Sequence, residues 1–344
     1  MIKLIFIPLF IILTACGEND NLVRITGKVI GEIPSEIYYT VPVNETAFDY
    51  GFTDSVELDS LGNFSIETHI NNPSFIQIFF GNKPSVIAEP GKNYTLIMSK
   101  NENNHYLTDF MGHNAELNKI YNSFEHNNPA YCSWLNEMPK TQETLNSMDE
   151  RYLKELKILD SIANIHDFNP FTMELIRRDR KLYNSFAKSK IGGSLFTQYL
   201  FQDNIFHEEA YQMWQSGISS YPEINKDIIH LNFAHDFLHD YFWFNIYSTI
   251  ELKEFRKIND EYKAKNRMYS YRIELAREYF QDDLLEFFIA TYICFFSRIV
   301  PDNPDDFLNI MQIFREEFPD SNYQQFIDPI YNTAVASLDM KKTE

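Results

Sequence analysis

The sequence predicts an α+β protein built as two domains, an N-terminal antiparallel β-sandwich followed by an all-α helical domain. From Leu22 to about Phe110 apolar and polar residues alternate with period two, as in half-buried strands. After Gly112 turn residues become rare and apolar residues recur every three or four positions, as at Leu156 and Leu159. This change of period places the helical domain after the strands.

The chain divides into four predicted segments. Its 344 residues suit one large or two ordinary domains, and 44% hydrophobic with 16% aromatic residues are enough to build packed cores. We predict a lipoprotein signal peptide at 1–15, a tether at 16–21, the β-sandwich domain at 22–111 and the α-helical domain at 112–344. This composition excludes a chain that is disordered throughout.

Short strands separated by turns at intervals of about eight to twelve residues predict the sandwich. In the first strand Val23, Ile25 and Val29 lie on one face, and polar residues lie on the other. The loop Asp59–Asn63 contains a glycine and stands between two alternating runs. It predicts that the strands on either side pair with each other as a β-hairpin.

Capping residues mark predicted helix starts in the second half. Asn169-Pro170 and Asn303-Pro304 each place a capping side chain before a proline that suits the first helical position. Roughly eight to ten helices fit between Asn114 and Met340, given a mean length of about 11 to 12 residues. Gly192-Gly193 predicts a helix break, because glycine adopts backbone angles that other residues avoid.

Acidic pairs and aromatic stripes in the helical half are interpreted as structural. Asp282-Asp283 and Asp305-Asp306 suit the first turns of helices, where carboxylates complement the helix dipole, better than they suit metal sites. Aromatic burial is what such helices need in order to pack. We therefore expect core positions for Phe287, Phe288, Phe295 and Phe296.

The N-terminus carries the clearest functional signal. Lys3 precedes an apolar run of about ten residues, too short for the roughly 20 that a membrane-spanning helix needs, and then Leu13-Thr14-Ala15-Cys16. This pattern resembles the signal peptide and lipobox of bacterial lipoproteins, which implies that Cys16 becomes the acylated N-terminus. The alternative is an uncleaved anchor or a buried apolar N-terminus. The tether lacks basic residues, which by resemblance to Bacteroidota lipoproteins implies the outer membrane, on its periplasmic face or at the cell surface.

Charge and glycine content argue against two classes of partner. The formal net charge is -19, and a strongly acidic chain repels the phosphate backbone of nucleic acids. Only 11 glycines are present, and neither GxGxxG nor GxxxxGK[ST] occurs, so a nucleotide site has no support. We predict no nucleic acid or nucleotide partner and no cofactor.

Two cysteines follow the predicted lipidation site. Cys132 and Cys294 stand far apart in the sequence, so they do not form a CxxC redox site, and each has apolar or aromatic neighbours. Disulfides persist in an oxidising compartment. Two buried free thiols are the favoured interpretation, with a structural disulfide as the alternative if the fold brings the two residues together.

Several short segments together resemble one family. Ile25–Val29, Asp54–Ile66 and Ala88–Lys92 resemble the uncharacterised N-terminal β-domain of the thiol:disulfide interchange (TlpA-like) lipoproteins of Bacteroidota. Gly112–Asn118 is similar to that family's entry into its first helix, and Phe318–Tyr323 to the motif that opens its last helix before a thioredoxin domain. The resemblance implies fold and location. It does not imply dithiol activity, because that chemistry needs two neighbouring thiols and the sequence contains no WCxxC.

One pair of side chains has the spacing of a metal site. His235 and His239 stand at i and i+4 on a predicted helix, as in the zinc motif HExxH, with Asp236 in the place of the general-base glutamate. Aspartate is one methylene shorter, no third ligand is evident nearby, and His230 lies about 140° around the helix. Histidines that border the core are therefore the favoured interpretation.

The favoured function is a non-catalytic envelope lipoprotein that contacts the membrane through its lipid and binds an envelope protein or glycan. A truncated or split component of a thiol:disulfide oxidoreductase system is the first alternative, since the sequence ends about where the family's thioredoxin domain begins. A metal-dependent hydrolase that uses His235 and His239 is the second. We assign no catalytic residue.

Overall fold

A computed structural model describes residues 21–46, 48, 51–102, 105–124, 142–201, 208–250, 252–298 and 304–343. The predicted signal peptide, Cys16 and Cys132 lie outside these residues. Within them, eight strands precede ten α-helices. The predicted α+β class, with an N-terminal β part and a C-terminal helical part, is confirmed.

The strands form two four-stranded sheets that pack face to face. They are β1 Leu22–Ile30, β2 Glu36–Thr40, β3 Thr53–Glu57, β4 Asn63–His69, β5 Ser74–Phe79, β6 Ser85–Ala88, β7 Asn93–Lys100 and β8 Tyr106–Gly112. The first sheet has the order β4-β1-β7-β8 and the second the order β3-β2-β5-β6. Ile25 and Leu96 of the first sheet and Ile78 of the second share one buried core, because the inward face of each strand is apolar.

Pairing within the first sheet is mixed. β1 runs antiparallel to β4 but parallel to β7, with Ile25 beside Tyr94. The other strand pairs are antiparallel. A parallel neighbour requires a long crossover, and here the strands β2 to β6 separate the two partners in the sequence.

The predicted hairpin across Asp59–Asn63 is wrong. β3 pairs with β2 and β4 pairs with β1, so the loop passes from one sheet to the other. The loop is nevertheless tight, because the Asp59 carboxylate accepts the backbone N–H groups of Leu61 and Asn63, each at 2.9 Å. A tight turn thus fixes the chain direction but not the pairing partner.

The helices follow the strands directly. They are α1 Ala115–Ser123, α2 Gln142–Ala163, α3 Pro170–Phe201, α4 Glu208–Ser219, α5 Ala234–Thr249, α6 Leu252–Ala264, α7 Met268–Tyr279, α8 Asp282–Ser297, α9 Pro304–Glu317 and α10 Gln324–Thr343, with a 3₁₀ turn at Lys226–His230. The predicted starts at Pro170 and Pro304 are confirmed. At the first of them the Asn169 side chain accepts the backbone N–H of Phe171 at 2.9 Å.

The predicted helix break at Gly192-Gly193 is wrong, because both glycines lie inside the continuous helix α3. Their role is close helix packing. A β-carbon on Gly192 would lie 2.2 Å from the backbone nitrogen of Trp214, and one on Gly217 of α4 would lie 2.2 Å from the backbone nitrogen of Ser189. The missing side chains therefore let α3 and α4 approach each other backbone to backbone.

Helices cover part of the outer face of the second sheet, along β5 and β6. Phe75 and Ile87 point away from the sandwich core and are fully buried against Leu117 and Tyr121 of α1 and Met173 of α3. The rings of Phe75 and Tyr121 stack at 5.3 Å. The second sheet is thus packed on both faces along β5 and β6, and this apolar layer joins the strand and helix parts. Tyr38 of β2, on the same outer face, is 48% exposed.

A buried carboxylate also joins the strands to the helices by hydrogen bonds. Glu89 follows β6, and its Oε1 accepts hydrogen bonds from Asn114 Nδ2 at 2.7 Å and from the Thr172 hydroxyl at 2.6 Å. Its Oε2 lies 2.9 Å from His113 Nε2. The β6–β7 turn is therefore bonded to the starts of both α1 and α3.

Both acidic pairs lie in first turns as predicted, at the starts of α8 and α9. Asp306 does more than complement its own helix. It is buried and accepts the backbone N–H of Tyr269 at 2.7 Å, together with the N–H and hydroxyl of Ser270. Because Arg267 gives α7 no side-chain cap, Asp306 caps that helix from a neighbour.

The predicted aromatic core is confirmed in part. Phe287 and Phe288 are buried, whereas Phe295 and Phe296 are half-buried. No helix that the structure describes combines the length and the apolar composition that a membrane crossing requires.

Candidate functional site

The predicted histidine pair lies on α5, a helix that is apolar on most of its surface and packs in the centre of the helical part. His235 is buried, with the ring of Phe48 at 4.6 Å and that of Phe295 at 5.8 Å. Burial lowers the pKa of His235 to about 3. The imidazole is therefore neutral at physiological pH.

His239 lies one turn further along α5, and its ring centre is 6.1 Å from that of His235. The indole Nε1 of Trp243 donates a hydrogen bond to His239 Nε2 at 3.1 Å. Burial, His235 and the cations Lys190 and Arg272 hold the pKa of His239 well below its usual value. The Nε2 lone pair thus accepts the hydrogen bond from Trp243. The neutral ring therefore carries its proton on Nδ1.

These contacts bear on the metal-hydrolase alternative. Among the described residues, no group of three or more His, Cys, Asp or Glu side chains is placed to hold a metal ion. His235 lies among aromatic rings, and His239 accepts from Trp243. Both observations favour the interpretation that the two histidines border the core.

A buried carboxylate adjoins the pair. Asp240 accepts hydrogen bonds from the Ser189 hydroxyl of α3 and from Trp214 Nε1 of α4, the latter at 3.2 Å. Burial raises the pKa of Asp240 to about 6, although Lys190, 3.9 Å away, and Trp214 oppose that rise. Asp240 therefore connects three helices where α3 and α4 meet.

Arg272 of α7 lies next to Trp243, the residue that donates to His239. Its guanidinium lies over the rings of Trp243 at 5.4 Å and Phe296 at 5.6 Å, and Nη1 donates to the Tyr292 hydroxyl at 3.3 Å. Nε is buried, and no described residue accepts its hydrogen bond. The cluster thus contains a cation held by aromatic rings instead of by a carboxylate.

Sequence reasoning found the histidines but missed Asp240, Lys190 and Arg272. A usable signal was present for Asp240, since a carboxylate inside the apolar run Phe237–Ile246 is costly to bury and requires a partner. Lys190 and Arg272 stand on ordinary amphipathic helices. Only the packing of α3 and α7 against α5 brings them to His239.

A second polar cluster lines an open cleft between α2 and α3. Arg180 is fully buried there and donates from Nε to Glu155 Oε2 at 2.9 Å and from Nη2 to Glu155 Oε1 at 3.3 Å. Its guanidinium also lies 4.5 Å from the ring centre of Tyr183. Because the cation already holds a bidentate carboxylate, the cluster joins two helices and needs no ligand.

Cys294 is a buried free thiol, as predicted, and burial raises its pKa to about 12. A thiol that stays protonated is a poor nucleophile. Cys294 is therefore not a candidate nucleophile for thiol–disulfide chemistry.

No family model, curated protein or solved structure matches the chain. The resemblance to the TlpA-like lipoproteins accordingly remains a prediction from short sequence segments.

Proposed function

We propose that this chain is a lipid-anchored protein of the bacterial envelope whose sandwich binds a protein partner. The membrane contact is the acylated Cys16, in the outer membrane, and the binding surface is the outer face of the first sheet. One observation carries the binding proposal: large apolar side chains stand exposed on that face.

The strand registers define this surface. Ile30, Ser99 and Leu107 lie side by side across β1, β7 and β8, and Met111 stands four residues along β8. Ile30 is 51% exposed, Leu107 52% and Met111 42%. Helices cover the outer face of the second sheet along β5 and β6, and Tyr38 of β2 is 48% exposed beyond them. The exposed aliphatic side chains named here all lie on the first sheet. Exposed apolar clusters of this kind are typical of interaction sites.

Two further apolar side chains extend the surface at the Ile30 end. Leu61 is 66% exposed and Ile33 is 39% exposed. The Gly62 carbonyl accepts the Val29 N–H at 2.9 Å, which brings the loop that carries Leu61 next to the end of β1. We call Ile30, Ile33, Leu61 and Leu107 the apolar end of the sandwich.

The position of this end favours a protein over a bilayer. The tether joins β1 at Leu22, and its six residues reach at most about 20 Å. β1 then rises by about 3.3 Å per residue, so Ile30 lies roughly 26 Å from the tethered end of the strand. The apolar end therefore lies at the end of β1 opposite the tether. Aliphatic side chains also offer no hydrogen-bonding group to sugar hydroxyls, so the surface suits a protein better than a glycan.

The anchor is tested by metabolic labelling with an alkyne fatty acid and by membrane fractionation. The wild-type chain is expected to carry the label and to sediment with outer membranes. Cys16→Ser is expected to lose the label and to leave the membrane fraction, and Cys132→Ser serves as the matched control that keeps both. A labelled Cys16→Ser protein would rule out acylation at this residue.

The binding surface is tested by a photo-crosslinking amino acid at Leu107 in intact cells. We expect one discrete protein adduct, which disappears when Ile30→Asp and Leu61→Asp are added. Leu153 of α2 is 54% exposed and provides a control position that is expected to give no such adduct. The same adduct from both positions, or one that survives the two aspartates, would exclude this surface.

A further inference from the structure

We propose that the connection between α2 and α3 is a second membrane contact, which inserts Phe171 and Ile165 into the surface of the bilayer that holds the lipid anchor. Residues 164–171 connect α2 to the first turn of α3, and we call them the α2–α3 tip. The proposal rests on the proposed anchor at Cys16 and is independent of the sandwich surface.

The first step is the exposure of the tip. Phe171 is 78% exposed and Ile165 is 75% exposed, and no other large apolar side chain among the described residues is as accessible. The removal of apolar surface from water is favourable and grows with the area removed. These two side chains therefore have the most to gain from an apolar surrounding.

The second step is the position of both residues in the helical hairpin. α2 and α3 run antiparallel, and Arg177 Nη2 lies 2.8 Å from Asp160 Oδ1 across them. Ile165 stands five residues beyond Asp160, and Phe171 stands six residues before Arg177. This register places both apolar residues at the closed end of the hairpin. The Asn169 side chain accepts the Phe171 N–H at 2.9 Å, which fixes the backbone there.

The third step is the place of the tip in the molecule. Thr172, the residue that follows the tip, donates to Glu89 Oε1 at 2.6 Å. Glu89 begins the turn between β6 and β7, in which its carbonyl accepts the Lys92 N–H at 3.3 Å. The Lys92 carbonyl in turn accepts the Arg24 N–H at 3.2 Å, and Arg24 stands two residues after Leu22, where the tether joins β1. The tip and the tether therefore lie at the same end of the sandwich.

The fourth step is the choice of the bilayer as the occupant. The six-residue tether reaches at most about 20 Å, so the anchor keeps this end of the sandwich near the membrane. The boundary between headgroups and acyl chains buries phenylalanine and aliphatic side chains without a shaped partner surface. A bilayer is the apolar phase that the anchor brings to this end in every molecule.

The charges at this end decide how the contact is made. Asp167 of the tip and Lys92 of the adjoining turn are both exposed, and the chain has a formal net charge of -19. Anionic headgroups therefore offer the protein no net attraction. The contact depends on apolar area, so we expect it to be insensitive to salt. Its effect is orientation, because a tether alone leaves the sandwich free to rotate and a second contact holds β1 at a fixed angle to the bilayer.

The test uses the purified lipoprotein in vesicles of phosphatidylethanolamine and phosphatidylglycerol, with an environment-sensitive fluorescent amino acid at one position at a time. Nitroxide groups on the lipid chains quench a fluorophore that enters the bilayer. At Phe171 or Ile165 we expect a blue-shifted emission and strong quenching. At Leu61, which is also exposed but lies beside the opposite end of β1, we expect a water-like emission and no quenching.

Two further positions on α2 give a depth series. Ile158 and Leu153 are both exposed, and a helical rise of about 1.5 Å per residue places them roughly 10 and 18 Å from Ile165. An apolar contact at the membrane surface penetrates about 5 to 10 Å. We therefore expect weak quenching at Ile158 and none at Leu153.

A substitution tests the apolar contact itself. With the fluorophore at Ile165, Phe171→Ser is expected to lower the ratio of inserted to free tip about 10- to 100-fold, because the burial of a phenylalanine side chain is lost. Leu153→Ser is the matched control, since it removes an exposed apolar side chain from the same hairpin outside the tip. We expect it to leave the ratio unchanged. Circular dichroism checks that both variants fold, as their exposure predicts.

Three results would overturn the proposal. They are a water-like emission at Phe171 in a protein that carries its lipid, equal quenching at Ile165 and Leu153, and an unchanged ratio in Phe171→Ser. A protein partner at the tip predicts the first of these results, because the vesicles contain lipid alone.

Fatty-acid labelling of the same sample reports on the anchor separately. If the chain carries no lipid, the proposed anchor has failed. A maleimide phospholipid coupled to Cys16 in a Cys132→Ser protein then supplies the tether, and the same positions are measured. A failure of the tip is therefore distinguishable from a failure of the proposed function.

Discussion

Asn122 of α1 pairs with the backbone of Ser85 in both directions, accepting its N–H at 2.8 Å and donating to its carbonyl at 2.7 Å. One turn earlier, Asn118 accepts the N–H of Ile87 at 2.7 Å. Two amides spaced i and i+4 on a helix thus take the place of a neighbouring strand along β6. This pairing satisfies backbone groups that an edge strand otherwise leaves unpaired.

The first prediction concerns this edge. Asn118→Ala and Asn122→Ala are each expected to lower the free energy of unfolding by about 1–3 kcal/mol, because buried backbone groups of β6 lose their partners. Urea denaturation measures the change. Asn146→Ala, at an exposed position on α2, is expected to change it by less than about 0.5 kcal/mol. Equal effects at the three positions would contradict the role of α1 as an edge cover.

The second prediction compares two neighbouring glycines of α3. Gly192→Ala places a β-carbon 2.2 Å from the backbone of Trp214, whereas Gly193→Ala meets only the indole ring, at 3.1 Å. The first variant is expected to lose about 1–3 kcal/mol of unfolding free energy, since backbone has to move. The second is expected to change by less than about 1 kcal/mol, because alanine favours the helix more than glycine does. Thermal unfolding of the two variants measures both losses of stability. A larger loss in Gly193→Ala than in Gly192→Ala would refute the close approach of α3 and α4.

The third prediction is a pH dependence caused by Asp240. Its pKa is raised to about 6 in the folded state, so the folded protein binds the proton more tightly than the unfolded chain does. This group therefore contributes most stability below about pH 4 and loses it as the pH rises to about 6. Relative to the wild type, Asp240→Asn is expected to gain up to about 3 kcal/mol between pH 4 and pH 7.

Urea denaturation across this pH range measures the difference between the two proteins, in which contributions from other groups cancel. Asp260→Asn, at an exposed position on α6, is the control, with an expected change below about 0.5 kcal/mol. A difference that is flat with pH would show that Asp240 stays ionised in the folded protein.

The fourth prediction is a pH dependence in the opposite direction, caused by His235. His235 has a pKa lowered to about 3, so the unfolded chain binds its proton more tightly than the folded protein does. The stability that it contributes is complete above about pH 6.5 and decreases as the pH falls. His235→Phe is therefore expected to gain up to about 3 kcal/mol over the wild type between pH 6.5 and pH 4. NMR titration gives a direct check, since a His235 ring that titrates near pH 6 would contradict its burial.

The order of elements could be predicted because each element depends on local periodicity. The alternation of apolar and polar residues predicted that Val23, Ile25 and Val29 lie inside the sandwich, and all three are buried. Asn169-Pro170 marked a helix start that the structure contains. These predictions succeed because the spacing of a few neighbouring apolar residues determines which face of a strand or helix turns inward.

The candidate site could be predicted only in part. The i, i+4 spacing placed His235 and His239 on one helix face. It did not show that Trp243 Nε1 donates a hydrogen bond to the Nε2 of His239. The role of Gly192 was also hidden, because a glycine inside a helical pattern indicates either a break or a close contact. The contact exists only where another helix, here α4, supplies Trp214.

The sequence by itself determined the succession of strands and helices and the faces that turn inward, because periods of two and of three to four are properties of single segments. Tertiary structure alone decided that β3 and β4 belong to different sheets, that Asp306 caps α7, and that the guanidinium of Arg272 lies over the ring of Trp243. These relationships join residues far apart in the chain. They follow from which apolar surfaces pack together, and packing depends on the whole molecule.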